Sequence, residues 1–279
     1  MASISKHRNA ATRLCRAKFL RLMGDTAKRI VDEKIPIAKR VHDVRRAAKE
    51  GRALLKLMPP LYGDEARAQR SILRDVRRKF GSARDSRVAL SLVSGQDKAD
   101  NPAPRAALRK LEHHCHAEEA ALTPQILSRA AAQFTAVADI AKIWAIRPDS
   151  DLDIVAQATK CYRQARQLLP TGKERSFKLL HEFRSAVVDH HHQISLLEEC
   201  DGRKPNRRTK KLQQLRASLG DCIDLEGVER LLHNGADQEA KYANVHLKHR
   251  KKARLAEAVQ AAHTLFREKP REFATHLNR

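Results

Sequence analysis

The chain has 279 residues, of which 42% are apolar and only 4% aromatic, so a core built mainly from Ala, Leu, Val and Ile is expected. It carries 56 Lys and Arg against 33 Asp and Glu, a formal net charge of +23 and a pI of about 10.3. This excess favours polyanions (nucleic acid, an anionic membrane surface, polyphosphate), while the sparse Pro and Gly, ten of each, and the lack of long β-branched runs exclude a β-rich fold.

The expected fold class is all-α. The first stretch, Met1 to Met23, is basic and free of acids, somewhat like a transit peptide. The apolar positions Leu14, Phe19, Leu22 and Ile30 continue without a break to Val31, which favours a first helix over about Lys6 to Lys34. Pro36 breaks it or starts the next helix, Ile37 to Met58, which stops at Pro59-Pro60. Asp64 is a good N-cap for a third helix reaching Val93, with Gly81 inside it. A helix glycine costs about 1 kcal/mol against alanine, so a close approach of a neighbour or ligand is expected at Gly81. Ser94 to Pro104 reads as a polar linker, followed by helices over Arg105 to Ala120 and Pro124 to Ile143. Beyond Arg147-Pro148-Asp149-Ser150 come Asp151 to Leu169, Lys173 to Glu199, Arg207 to Leu232 and Asp237 to near Glu268.

The second helix carries the strongest signal. At about 100° per residue, Val41, Val44, Ala48 and Leu55 form an apolar stripe, and His42, Arg45, Lys49 and Arg52 form a basic stripe beside it. A solvated charged face normally lies opposite the apolar one and mixes both signs. A single sign at the border of the core asks for an anionic partner. The third helix repeats the theme with Arg70, Arg74, Arg77 and Arg84, and Arg46 and Arg78 flank the two stripes.

The pattern returns at an offset of 139 residues: Lys39, His42 and Arg45 match Lys178, His181 and Arg184. The next helix keeps that offset, with Arg77, Gly81 and Asp85 against Arg216, Gly220 and Asp224, and Arg109 meets Lys248. Ungapped agreement across two successive helices indicates an internal duplication. One domain over residues 1–279 is therefore expected, made of similar four-helix halves over 1–146 and 147–279. Between Gly202 and Gly220 the loop and helix add further cations, Lys210 among them, with no acid. Asp85 and Asp224 are each read as fixing an arginine of a neighbouring helix, or else as surface acids.

Other chemistries fit poorly. The five cysteines sit in no paired spacing, which suggests reduced thiols and a cytoplasmic protein, and no apolar run approaches a membrane span. His113-His114-Cys115-His116 and His190-His191-His192 lack the i, i+4 histidine pair of a helical metal site, so no metal is expected. There is no phosphate loop, no nucleophile elbow, and Trp144 with three tyrosines makes no base-stacking platform.

Together, Val41-His42-x-x-Arg45-x-x-x-Lys49-x-x-Arg52, Gly81-x-x-Arg84-Asp85-x-x-Val88, His181-x-x-Arg184 and Leu219-Gly220-x-x-x-Asp224 resemble the CHAD domain, the conserved histidine α-helical domain. The resemblance covers nearly the whole chain. It implies two four-helix bundles around a basic groove or pore, binding of inorganic polyphosphate, association with polyphosphate granules, and no catalytic activity or cofactor. The residues carried into the site are Lys39, His42, Arg45, Arg46, Lys49, Arg52, Arg74, Arg77, Arg78, Arg84, Lys178, His181, Arg184, His191, Lys210, Arg216 and Lys248. The second half departs from the pattern, with Val188, His191 and Ile223 where the first half has Lys49, Arg52 and Arg84, so more of the binding charge is expected from the first half. Nucleic acid, bound non-specifically, and a metal-dependent phosphohydrolase are the rival readings.

Overall fold

Proline and side-chain caps set most of the helix boundaries. The computed structural model describes residues 2–94, 105–144, 154–170, 176–200, 202–233 and 238–277. Helix α1 (Ala2–Val31) is followed by α2 (Ile37–Leu55), which starts behind Pro36. Helix α3 (Pro59–Lys79) begins five residues earlier than Asp64 would place it, because Pro59 and Pro60 occupy the first turn, where no amide donor is needed. Thr123 caps α6 (Pro124–Ile143) by accepting from the Ile126 amide at 3.4 Å. Asn206 caps α9 (Arg207–His233) by accepting from the amides of Arg208 and Thr209 at 2.7 and 3.0 Å. The remaining helices are α5 (Arg105–Ala120), α7 (Ile154–Gln167), α8 (Phe177–Cys200), α10 (Gln238–Leu265) and a short α11 (Pro270–Leu277) that sequence patterning did not single out. No strand occurs among the described residues, and no helix of theirs is long and apolar enough to cross a membrane.

The expected single helix from Asp64 to Val93 is two. It breaks at Phe80, and α4 (Gly81–Ser94) starts afresh. Phe80 is fully buried in the first core, so its anchoring fixes the end of α3 while α4 turns off towards other helices. The helix cost of Gly81, about 1 kcal/mol, weakens the chain at the same point.

Three cores result. The first lies between α1, α2, α3 and α6, with Phe19, Met23, Leu54, Val76 and Phe134 at its centre. A second gathers Tyr162 of α7, Phe183 and Val187 of α8, Leu215 and Leu219 of α9, Ala262 of α10 and Phe273 of α11. The third joins Ala89 and Val93 of α4 and Leu111 of α5 to Leu225 and Val228 of α9 and Leu247 of α10. Thus α4 and α5, first-half helices by sequence, pack against the far end of the α9–α10 pair. Helix α2 also packs on α8. These crossings leave a cavity between the two parts of the chain.

Candidate functional site

The cavity has a volume of about 560 Å³. Helix α2 sends in Arg45 and Lys49, and the end of α3 contributes Arg77 and Arg78. Helix α4 opens on Gly81, Arg84 and Asp85; α8 presents His181 and Arg184; and α9 closes the wall with Ile223, Asp224 and Gly227. The two glycines aligned by the sequence offset each lie beside an arginine of a neighbouring helix. A Cβ on Gly220 would meet Arg184 Nη2 at 3.1 Å, and one on Gly81 would meet Arg45 Nη1 at 3.5 Å. Only at Gly220 is the arginine close enough that a side chain would press on it; at Gly81 a Cβ would make an ordinary contact, so the close approach expected there is found at its second-half counterpart instead.

The arginines are held in place. Arg45 Nη1 donates to the Arg77 carbonyl at 3.2 Å, across the α3–α4 break. Arg84 grips Asp224 with both terminal nitrogens, at 2.6 and 2.7 Å, tying α4 to α9. Asp85 lies 3.2 Å from Arg84 and 3.7 Å from Arg45. Both acids therefore engage arginines, as one of their two readings requires.

Six cations line the cavity, against only these two carboxylates. The excess shows in the titration behaviour. Burial, reinforced by Arg184, Arg45, Arg84 and Arg77, pushes the Lys49 ammonium down to about 7. Burial pushes Arg45 down to about 10 and also lowers Arg77 and Arg184. Burial opposes the charge on Arg84 too, but its bonds to Asp224 more than offset this and raise it. The Nε atoms of Arg77 and Arg184 are buried with no protein hydrogen-bond partner. His42, at the exposed start of the α2 stripe, is lowered by its partial burial and by Arg46, Lys49 and Arg84, against the pull of Asp43.

The structure thus brings together Arg45, Lys49, Arg77, Arg78, Arg84, His181 and Arg184, with Phe177 edge-on to His181 at 4.4 Å. Arg52 continues the α2 flank, lowered by burial and by Arg77, Arg70 and Arg74 and countered by Asp189. Asp189 also binds Lys56. This acid was not singled out in the sequence; its signal is its place on α8 facing the basic end of α2. Arg74 is exposed, with Asp75 and Ser71 as partners. Lys178 is exposed beside the cavity-lining Phe177. Lys210 stands near the start of α9, about 20 Å along the helix from the wall residues, and exposed Lys248 does not line the cavity.

Besides Lys210 and Lys248, four more placements differ from the sequence expectation. Lys39 and Arg46 line a separate groove between α1 and α2, because on the helix they lie about 100–120° from Arg45. His191 is buried, with Nδ1 3.5 Å from Arg216, and burial plus that arginine holds it down to about 4. Arg216 also approaches His192 at 3.3 Å and stays outside the cavity wall. His190 is fully buried among the rings of Tyr162, Phe266 and Phe273 and is pushed to about 3. Among the described residues no three His, Cys, Asp or Glu side chains converge as a metal-ligand set.

A model of the CHAD domain matches residues 27–233. The chain belongs to the CHAD domain family. That match contains every residue lining the cavity, so the basic wall is part of the CHAD domain itself. Two solved structures share the fold. One is the CHAD domain from the plant Ricinus communis, 16% identical, covering 95% of this chain and 92% of that chain, with a TM-score of 0.63. The other is PptA from Streptomyces chartreusis, 14% identical, covering 95% of this chain and 99% of that chain, with a TM-score of 0.63. No curated protein matches the chain. At these identities the likeness concerns the CHAD fold; the residues of the wall are read from this chain alone.

Proposed function

We propose that this CHAD protein binds inorganic polyphosphate in the cavity between α2, α3, α4, α8 and α9, without chemical change to the chain. One observation carries the reading: six cations face one cavity whose two carboxylates are already engaged by arginines, and two buried Nε donors there lack a protein partner. A run of phosphates supplies anionic oxygens at every step and needs no base readout. The arginine forks suit two oxygens of one phosphate, and Lys49 suits a mobile point contact. The engaged state of Asp224, both of whose oxygens accept from Arg84, favours binding over metal-assisted hydrolysis, because a divalent ion would have to displace that arginine to reach it.

Competition decides between the anions. Labelled long-chain polyphosphate, bound at fixed salt, should resist displacement by RNA and DNA at equal phosphate concentration. Equal displacement would make the protein a general polyanion binder. Phosphate release from polyphosphate with added magnesium or manganese would turn the reading into the hydrolase. We further propose that the protein is cytoplasmic and gathers on polyphosphate granules; a fluorescent fusion that stays diffuse in granule-bearing cells would exclude the association.

A further inference from the structure

Helix α2 carries cations on two flanks, and the structure puts them in two grooves. Arg45 and Lys49 face the cavity just described. Lys39 and Arg46 face a groove of about 470 Å³ that α1 completes with Lys18, Arg21 and Arg29. Three carboxylates, Asp25, Asp43 and Glu50, share this groove. Asp43 is already engaged: Arg29 donates to it from Nε and Nη2 at 3.0 and 2.7 Å, and Arg46 lies 3.7 Å away. Lys18 is held by Glu199. Arg21 and Lys39 are exposed, and their side chains have no hydrogen bond or ion pair among the described residues.

His42 stands on the ridge between the two grooves. On the helix it lies about 20° from Lys49 on the cavity side and about 40° from Arg46 on the other. Its ring is exposed; its strongest charged neighbour is Asp43 of the α1–α2 groove, followed by Arg46 on that side and by Lys49 and Arg84 on the cavity side. Cations thus flank His42 on both sides, Lys49 and Arg84 towards the cavity and Arg46 and Lys39 towards the groove.

We propose that the α1–α2 groove is a second phosphate-binding subsite, and that a long polyphosphate chain occupies the cavity and this groove together, crossing α2 over His42. This rests on the polyphosphate reading above and adds a length preference to it. Lys49 and Lys39 are ten residues apart, about 15 Å along the helix axis. A short oligophosphate fills the cavity alone. Once a chain is long enough to reach both, the second contact becomes intramolecular and affinity rises without any new residue.

The test compares tripolyphosphate with long-chain polyphosphate on the wild type and on Arg21→Ala/Lys39→Ala, by titration calorimetry over a salt series. Both side chains are exposed and unpaired, so the fold should survive, which circular dichroism checks. The double variant should lose about tenfold for the long chain and leave tripolyphosphate unchanged. Its slope of log K against log salt for the long chain should shrink by about 1.4, at roughly 0.7 per lost contact. An unchanged long-chain affinity and slope overturns the second subsite while leaving the cavity reading standing. Equal losses for both ligands also overturn it, since they report a general field and no second contact. A wild type that binds neither ligand overturns the polyphosphate reading itself.

Discussion

Replacing Lys49 by methionine should remove the alkaline limb of the pH dependence of polyphosphate binding. In the ligand-free protein Lys49 titrates at about 7, because it is buried among Arg184, Arg45, Arg84 and Arg77. A bound phosphate restores the charge and returns the ammonium towards its ordinary value of about 10.4. Binding then takes up a proton wherever free Lys49 is neutral. Below about pH 7 the group is charged in both states and contributes no slope; above it, each pH unit costs up to tenfold until the bound group also titrates. With those two values the loss from about pH 7 to 9 is roughly 50-fold. His42 works on the other side: its lowered value places its proton uptake in the acid range, so the share of any affinity gained on acidification that His42→Ala removes belongs to this residue. Without ligand the sign reverses. Unfolded Lys49 binds more protons than folded Lys49 between about pH 7 and 10, so this residue makes stability rise with pH there. Calorimetric titration of wild type and Lys49→Met across this range, with thermal melts alongside, reads both effects. An affinity that falls as steeply in the variant would remove Lys49 from the site.

Three further outcomes follow from the same geometry. Val188→Lys should lower stability by about 2–4 kcal/mol and gain no affinity, because Val188 is only 5% exposed and the new ammonium has no route into the cavity; a stable variant with tighter binding would refute this. Gly220→Ala should raise the melting temperature slightly, through a helix gain of about 1 kcal/mol, while weakening polyphosphate binding a few-fold, since the new methyl meets Arg184 Nη2 at 3.1 Å and shifts its fork. Gly51→Ala should instead lower stability by about 1 kcal/mol, because overpacking exceeds the helix gain where the methyl meets Met23 Cε at 2.8 Å and Leu73 Cδ1 at 3.1 Å. Chemical denaturation checks both glycine variants, and equal signs for the two would refute the packing argument.

Much of the site was legible because it depends on helix periodicity. The Arg45–Lys49 flank, Gly81 and the two aspartates can be read from spacing, and each reaches the cavity, while Gly220, read the same way, lies behind Arg184. What spacing cannot show is which side of a helix a neighbour covers. Lys39 and Arg46 share a helix with Arg45 and still face another groove. His191 takes the place of Arg52 in the aligned second half, yet it is buried against Arg216. The break at Phe80 was only half legible: Gly81 weakens the helix there, but a single glycine is tolerated inside many helices, and burial of the Phe80 ring in the first core accompanies the break. Local preference is overridden wherever a long-range contact decides.

The break at Phe80 is also what makes the cavity. A continuous helix from Asp64 to Val93 would carry Arg77 and Arg84 seven residues apart on one straight flank. With the chain turned at Gly81, Arg84 reaches Asp224 on α9 while Arg77 offers its carbonyl to Arg45 on α2. Like charges are thereby fixed around a shared space at a cost chiefly in burial and then in self-repulsion, as the lowered values of Lys49, Arg45 and Arg184 record. Asp224 offsets part of that cost for one arginine and leaves the rest. A ligand that neutralises the remainder stabilises the folded chain by as much as it relieves, and a protein built this way should show its largest rise in melting temperature with the anion that reaches the most of these side chains at once.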